Sequence, residues 1–301
     1  MDKWQMYVET KNLFEAGENV STALRDKVTP DQKRLLIEAV YDLQSGSYTS
    51  AYAANSQSEY HLYMKEVFAE ILSNLNVDEV LDCGIGEATS WLRQGRDAVE
   101  MVRGFDVSLS RLSYADANLT SLGVSYALFS ADLHDIPVTS NGGGCVVTMH
   151  AIEPNGGMEE RIIDELVRVS SRYLIVMEPD FSQATDTQRE RMQRLGYATN
   201  IFPHLLKRED IEIQLYRSLE IDVNSLNPAS LLVAEKKQVE PTTFSYASPV
   251  SGTRLGKETG FYYDCGAGSA FPIIRGIPAL KKSDAIFLGR PHPQFCGQAS
   301  G

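Results

Sequence analysis

The sequence is short of several things. Its 301 residues contain four cysteines, Cys83, Cys145, Cys265 and Cys296, and no two form a Cys-x-x-Cys pair. That spacing argues against a disulfide framework and against a four-thiolate zinc site. Cys83 and Cys145 fall in apolar runs, where cysteine acts as a small core residue. No apolar run approaches the ~20 residues that a membrane-spanning helix needs. The first residues, MDKWQMYVETKNLF, carry neither the apolar core of a signal peptide nor an arginine-rich transit pattern. A cytoplasmic chain is expected. Positive charge is scarce as well: 28 Lys and Arg face 40 Asp and Glu, for a net charge of −12. Nucleic-acid backbones call for clustered cations, so no extended nucleic-acid surface is expected. The basic pairs Lys236–Lys237 and Lys281–Lys282 are isolated and read as solvated surface.

What is present is an ordinary globular composition, 43% hydrophobic and 23% charged. RLLIEAVYDLQ (34–44) and HLYMKEVFAEILSNL (61–75) space their apolar residues as helices do. Between them SGSYTSAYAANSQSEY is small, polar and tyrosine-rich, and reads as a loop or lid. From residue 79 the pattern becomes strand–helix alternation. EVLDCG, MVRGFDVS, SYALFSADL, GCVVTMHAIE and RYLIVMEP read as strands. Helices are expected at about 89–100, 109–121 and 158–171. Such alternation implies an α/β fold with a parallel sheet and helices on both faces. Residues 186–209 read as helical, and LEIDVNSL with ASLLVAEKK (219–237) as a closing strand pair. VEPTTFSYASP (239–249) is a linker by composition. Residues 244–288 form a small glycine-rich β module, and 289–301 a tail without a core.

The chemistry concentrates at VLDCGIGEATS (80–90). A strand there runs into a tight glycine turn and a helix start. A dinucleotide-binding turn wants Gly-x-Gly-x-x-Gly, but Thr89 stands in the third glycine position, which counts against a dehydrogenase. Asp82 precedes the first glycine by two residues. The second strand ends in Asp106, 24 residues beyond Asp82, near the ~20-residue spacing at which an acid meets ribose hydroxyls. The third strand leads to Asp132 and Leu133, and the fourth to HAIEPNGG with His150, Glu153 and Asn155.

The pattern Asp-x-Gly-x-Gly after an apolar strand, with acids at the next two strand ends, resembles class I S-adenosylmethionine-dependent methyltransferases over about residues 60–237. The resemblance implies a Rossmann-like sheet. It divides the chain into an N-terminal helical cap (1–60), a methyltransferase domain (61–238), the β module and the tail. It implies S-adenosylmethionine as cofactor and S-adenosylhomocysteine as product. Asp82 would hold the methionine ammonium, and Gly84 and Gly86 would let the backbone approach the ligand. Asp106 would accept the ribose hydroxyls, and Asp132 the adenine amino group, with Leu133 beside the ring. Tyr48 is a candidate to close over the cofactor.

Methyl transfer needs an aligned nucleophile, and a hydroxyl acceptor gains from a general base. His150 is the preferred base because imidazole titrates near neutrality. Glu153 would orient it or bind the acceptor, and Asn155 would bind the acceptor. Amine-methylating members of the class carry Asn/Asp-Pro-Pro-aromatic here, whereas this chain reads Glu153-Pro154-Asn155-Gly156. HAIEPNGG, LGYATNIF and LNPASLLVAEKK resemble bacterial methyltransferases of surface-polysaccharide and related small-molecule pathways. A small-molecule acceptor is therefore expected, with oligomeric state left open. The alternatives are an RNA or protein substrate and a non-catalytic cofactor-binding protein.

SPVSGTRLGKETGFYYDCGAGSAFPIIRGIPALK (248–281) is similar to the zinc-ribbon-like activator subunit of RNA and protein methyltransferases. Its AFPIIRGIPAL ending is intact. Ser248 and Ser251 replace the first cysteine pair, and at most Cys265 remains of the second. Tetrahedral zinc wants about four Cys or His ligands, so a metal-free module is expected, held by Phe261, Phe271, Ile273, Ile274 and Ile277.

Overall fold

EVLDC, CVVTM and YLIVMEP are buried almost throughout, the pattern of strands covered on both faces. In the computed structural model, which describes residues 2–24, 27–222, 224–289 and 296, they lie at the centre of a seven-stranded sheet. The strands are β1 (Glu79–Cys83), β2 (Met101–Asp106), β3 (Ser125–Ser130), β4 (Cys145–Met149), β5 (Tyr173–Pro179), β6 (Ile211–Ser218) and β7 (Ala229–Lys236). Their order is β3-β2-β1-β4-β5-β7-β6. The first five are parallel, and β7 runs antiparallel between β5 and β6. The order reverses at β1, so the carboxyl ends of β1 and β4 flank a crevice where such sheets bind ligands.

Among the described residues ten α-helices surround the sheet and cap one end: α1 (Lys3–Glu15), α2 (Val20–Leu24), α3 (Pro30–Leu43), α4 (Ser47–Asn55), α5 (Glu59–Leu75), α6 (Thr89–Gln94), α7 (Leu109–Leu122), α8 (Glu159–Val169), α9 (Asp186–Leu195) and α10 (Ile201–Leu206). α8 shows why they form. Ile162, Ile163, Leu166 and Val167 recur at helical spacing and are buried, acids occupy the first turn, and Arg168 the last. Two apolar clusters, one on each face of the sheet, make the core. A third, around Met6, Val20, Leu24 and Leu36, belongs to the N-terminal helices.

Three expectations need correction. Residues 47–55, read as a loop or lid, are helix α4, although none of its residues is buried. The partner of β7 is β6, not LEIDVNSL, whose described residues beyond Ser218 form a loop. The compositional linker has no helix or strand and packs against the sheet domain. Thr242 and Ala247 donate backbone hydrogen bonds to Asn141 and Pro137, and Tyr246 packs edge-on against Phe129. One lysine of each isolated pair is not solvated: Lys236 donates to the Val167 and Ser170 carbonyls at the end of α8, and Lys281 is only 5% exposed, whereas Lys237 and Lys282 are exposed.

The C-terminal module is antiparallel, with β8 (Gly256–Glu258), β9 (Phe261–Asp264), β10 (Ser269–Ile274), β11 (Ile277–Pro278) and β12 (Ile286–Phe287). Ala279 bridges Ser130, and Leu280 N–H donates to the Ser130 carbonyl at 2.8 Å, so the module covers the β3 edge. Lys281 Nζ reaches Glu38 of α3 at 2.7 Å and the Val107 carbonyl at 3.0 Å. Cys265 and Cys296 form one disulfide, where the cysteine spacing argued against a disulfide framework. Cys83 and Cys145 are free and buried. The rest of the expected tail beyond Gly289 lies outside the described residues. No helix among the described residues is long and apolar enough to cross a membrane.

Candidate functional site

The turn after β1 is built on two left-handed glycines. Gly84 has φ +94°, and a Cβ there would sit 2.3 Å from Ala151 Cβ. Gly86 has φ +58°, and a Cβ there would meet Arg111 Nη2 at 2.6 Å. The two positions therefore make room for the chain's own Ala151 and Arg111 as well as facing the cavity. The Gly84 and Ile85 amides both donate to the Phe105 carbonyl at 2.9 Å, which ties the turn to β2.

Asp82 ends β1. It is 4% exposed and accepts from Trp91 Nε1 at 2.8 Å. Burial pushes its carboxyl up to about 7 against the pull of that hydrogen bond. Asp106 ends β2, buried, and accepts from Gly86 N–H at 3.1 Å and Ser108 N–H at 2.9 Å. Burial raises it, opposed by the Arg111 charge and those two amides. Asp132 follows β3. One oxygen accepts from His134 N and Nδ1, the other from Arg34 Nε. Burial alone would raise the Asp132 carboxyl, but His134 and Arg34 hold it down at about 2. Its oxygens are thus already engaged by the protein.

β4 delivers His150, which has φ +53°, a conformation that costs a non-glycine residue about 1–3 kcal/mol. Its amide donates to the Met177 carbonyl at 3.0 Å. His150 Nδ1 lies 3.4 Å from Glu153 Oε2, which also accepts from Asn227 Nδ2 at 3.2 Å. The Tyr197 hydroxyl hydrogen-bonds Glu153 as well. Burial disfavours the charged imidazole, but Glu153 outweighs it and raises the His150 pKa above its ordinary value. Asn155 is buried, and its Nδ2 holds the Ala151 carbonyl at 3.1 Å.

All ten residues singled out from the sequence line one cavity of about 600 Å³ at the carboxyl ends of β1 and β4. Tyr48 faces it from α4, its ring 4.5 Å from the Arg111 guanidinium carbon, with Tyr41 at 5.1 Å. A second cavity of about 690 Å³ adjoins the first and shares Tyr41, Tyr48, Glu153, Arg191 and Tyr197 with it. Among the described residues no cluster of three or more His, Cys, Asp or Glu can hold a metal ion.

Sequence reasoning missed several residues. Glu178, fully buried at the end of β5, accepts the amides of Ala151, Ile152 and Glu153 and the Thr148 hydroxyl. Burial pushes it up to about 7 against those donors. Glu87, 1% exposed, accepts from the amides of Gly46 and Thr49 and so caps α4 from the glycine turn. Arg34 and Arg111 reach the cavity from α3 and α7. A signal existed only for Glu87 and Glu178, acids placed directly after a glycine turn and at a strand end.

The comparisons agree with this architecture. The magnesium protoporphyrin IX methyltransferase of Synechocystis PCC 6803 with bound SAH superposes with a TM-score of 0.50 at 12% identity, covering 66% of this chain and 98% of that one. Its form with bound SAM gives 0.50 at 12% identity over 68% and 97%. The [4+2]-cyclase SpnF gives 0.45 at 16% identity over 56% and 79%. The chain has the fold of class I methyltransferases. No protein-family model and no curated protein sequence matches it. A shared fold fixes architecture, and the reaction must be argued from the site.

Proposed function

We propose that the protein binds S-adenosylmethionine and transfers its methyl group to a small-molecule acceptor, a hydroxyl oxygen of a sugar, nucleotide-linked sugar or related envelope metabolite. One observation carries the reading: four neighbouring strands present Asp132, Asp106, Asp82 and His150, in sheet order, to a single cavity cradled by Gly84 and Gly86. The sequence of groups suits a ligand with a nucleoside at one end and an amino acid at the other. Asp106 takes the ribose hydroxyls and Asp132, with Leu133, borders the base. Asp82 takes the ammonium, directly or through water. Tyr48 closes the cavity from α4.

The cofactor supplies a methyl group already activated by its sulfonium. The protein's task is alignment, exclusion of water and removal of one proton. The second cavity is the approach for the acceptor, because Glu153 and Tyr197 stand in the wall between the two. With Nδ1 turned to Glu153, His150 keeps Nε2 to accept the acceptor's hydroxyl proton. Glu153 fixes that tautomer and stabilises the imidazolium as it forms. Asn155 braces the loop through the Ala151 carbonyl.

The C-terminal module has no need of zinc in this reading. Asp264 accepts from Ser248, Ser251 and Thr253 hydroxyls and from the Gly266 and Ala267 amides, which joins the same loops that a metal would. Calorimetry tests the cofactor: S-adenosylmethionine binds the wild type and binding falls at least roughly 10-fold in Asp106→Ala, the loss of hydrogen bonds to a charged group. Tight NAD binding instead would sink the reading. Incubating the protein with methyl-labelled cofactor and fractionated metabolites, RNA and protein then identifies the acceptor class.

A further inference from the structure

The second cavity is cationic in an acidic chain. Over the whole sequence Asp and Glu outnumber Lys and Arg by 40 to 28. Among the described residues that line this cavity the balance is reversed: three cations, Lys33, Arg191 and Arg194, and one acid, Glu153. That acid is already engaged. His150 Nδ1 lies 3.4 Å from it and Asn227 Nδ2 3.2 Å, and the Tyr197 hydroxyl hydrogen-bonds it as well.

Arg191 and Arg194 lie three residues apart on α9, hence on one face of that helix. Arg191 is held by neutral groups. Its guanidinium carbon is 5.7 Å from the Tyr197 ring centre, it hydrogen-bonds the Tyr197 hydroxyl, and it reaches the Leu226 carbonyl at 3.5 Å. Lys33, on α3, donates to the Gly156 carbonyl at 2.7 Å. The end of α9 is locked to the loop that bears His150. Ala198 N–H donates to the Glu153 carbonyl at 2.8 Å, and a Cβ on Gly156 would lie 2.4 Å from the Tyr197 carbonyl. The fold therefore sets this cationic face of α9 beside the proposed base.

Charge and size select the ligand. One carboxylate is satisfied by a single bidentate guanidinium. Two guanidiniums and an ammonium, brought from two helices, suit a group with more oxygens and more than one charge. The cavity volume of about 690 Å³ lies within the ~300–1,000 Å³ of whole small-molecule sites, so it has room for such a group and its substituent. We propose that Arg191, Arg194 and Lys33 form a phosphate-binding subsite for the acceptor, so that the methyl group goes to a sugar joined to a phosphate or diphosphate and not to the free sugar; this rests on the methyltransferase reading above. Arg191 lines both cavities, whereas Lys33 and Arg194 line the second alone, so the anchored phosphate sits on the side away from the cofactor. The Glu153 carboxylate repels a phosphate, so the uncharged hydroxyl end is the one turned toward His150.

Calorimetry on the full chain begins with S-adenosylhomocysteine. Wild-type protein that does not bind it refutes the cofactor reading, and the acceptor assignment falls with it before any anion is added. With S-adenosylhomocysteine saturating, inorganic pyrophosphate binds the wild type at least roughly 10-fold more tightly than glucuronate, the scale of hydrogen bonds to a charged group, and glucose binds most weakly. Arg191→Gln weakens pyrophosphate roughly 10-fold, and adding Arg194→Gln weakens it further, while affinity for S-adenosylhomocysteine changes less than about threefold. Equal losses for the two ligands overturn the subsite, because they mark a structural role. Unchanged pyrophosphate affinity in the double variant overturns it too. Glucuronate bound as tightly as pyrophosphate assigns the cations to a carboxylate and overturns the phosphate. The acceptor itself gives an independent reading. Label that the wild type transfers from methyl-labelled cofactor to fractionated metabolites is retained on an anion exchanger and loses charge after phosphodiesterase and phosphatase treatment. Label that passes the exchanger untreated, or whose charge both enzymes leave unchanged, overturns the proposal.

Discussion

The loop that carries His150 hangs on one carboxylate, and replacing it gives a result with a computable size. Glu178 Oε1 accepts from Ala151 N–H at 2.8 Å, Ile152 N–H at 3.1 Å and Thr148 Oγ1 at 3.1 Å, while Oε2 accepts from Glu153 N–H at 3.2 Å. In Glu178→Gln the amide oxygen keeps the three-donor place, because the reverse orientation would set an NH₂ against three donors. The NH₂ then faces the Glu153 amide, and one buried donor loses its partner. That costs about 1–3 kcal/mol. Glu178→Ala strands all four donors and leaves a cavity, so the loss is at least about 4 kcal/mol, a large part of a ~5–15 kcal/mol total. The same bonds help hold His150 at φ +53°, a strain of about 1–3 kcal/mol. Glu178→Gln should therefore fold, unfold at lower urea by about 1–3 kcal/mol, and lose turnover more than its cofactor affinity falls. Urea titration followed by tryptophan fluorescence, with calorimetry and methyl-transfer rates on the same preparation, reads all three. A Glu178→Gln protein within about 0.5 kcal/mol of wild type and with unchanged turnover would show that another element sets the loop, and the reasoning would fail.

The remaining predictions concern charge and backbone. His150→Asn keeps a residue that tolerates positive φ but removes the base, so cofactor affinity should persist while transfer to a hydroxyl acceptor falls roughly 10²–10⁴-fold; full turnover would remove His150 from the mechanism. Glu153 raises the His150 pKa, and a base acts when deprotonated, so the acid limb of the rate profile lies above the ordinary histidine value and Glu153→Gln moves it to lower pH; an unmoved limb refutes the pairing. Asp82 is held protonated in the fold up to about 7, whereas in the unfolded chain it ionises near 4. The folded state then binds the extra proton between those values, so without cofactor its contribution to stability falls as pH rises, by about 1.4 kcal/mol per pH unit. From pH 5 to 7 wild type should lose about 2–3 kcal/mol more than Asp82→Asn; identical losses would contradict the assignment. Gly84→Ala places a Cβ 2.3 Å from Ala151 Cβ at φ +94°, and should cost about 2–5 kcal/mol with loss of cofactor binding, measured by thermal melting and calorimetry.

The five parallel strands were legible because each is a short apolar run bounded by polar turns. The acids of the site were legible because a strand's carboxyl end is a fixed place in such a sheet. Asp82, Asp106, Asp132 and His150 needed no knowledge of the third dimension beyond strand order. What escaped were pairings between distant parts of the chain. Arg34 engages Asp132 across 98 residues and Lys281 engages Glu38 across 243, so neither leaves a local trace. Lys236 and Lys281 looked solvated for the same reason. α4 was misread because SYTSAYAAN has no apolar stripe and Gly46 provides no side-chain cap. Its helix is set by Glu87, which supplies the missing cap from the glycine turn.

That cap changes what α4 means for the site. A surface loop could carry Tyr48 anywhere, but a helix whose first amides end on Glu87 cannot move without disturbing the turn that bears Gly84 and Gly86. Asn118 of α7 strengthens the tie by donating to both the Glu87 carbonyl and Thr49 Oγ1. Tyr48 and Tyr41 then confine the Arg111 guanidinium, and Arg111 in turn fills the space that Gly86 leaves open. The cap helices and the glycine turn are thus one mechanical unit. On the other flank Arg34 fixes α3 to Asp132, while Lys281 of the C-terminal module fixes Glu38 of α3 to the Val107 carbonyl. The end of the cavity beside Asp106 and Asp132 is therefore lined by cap and sheet and braced from behind by the C-terminal module. Neither cap nor sheet presents that wall alone, which is why a motif of eleven residues could point to the site but not describe it.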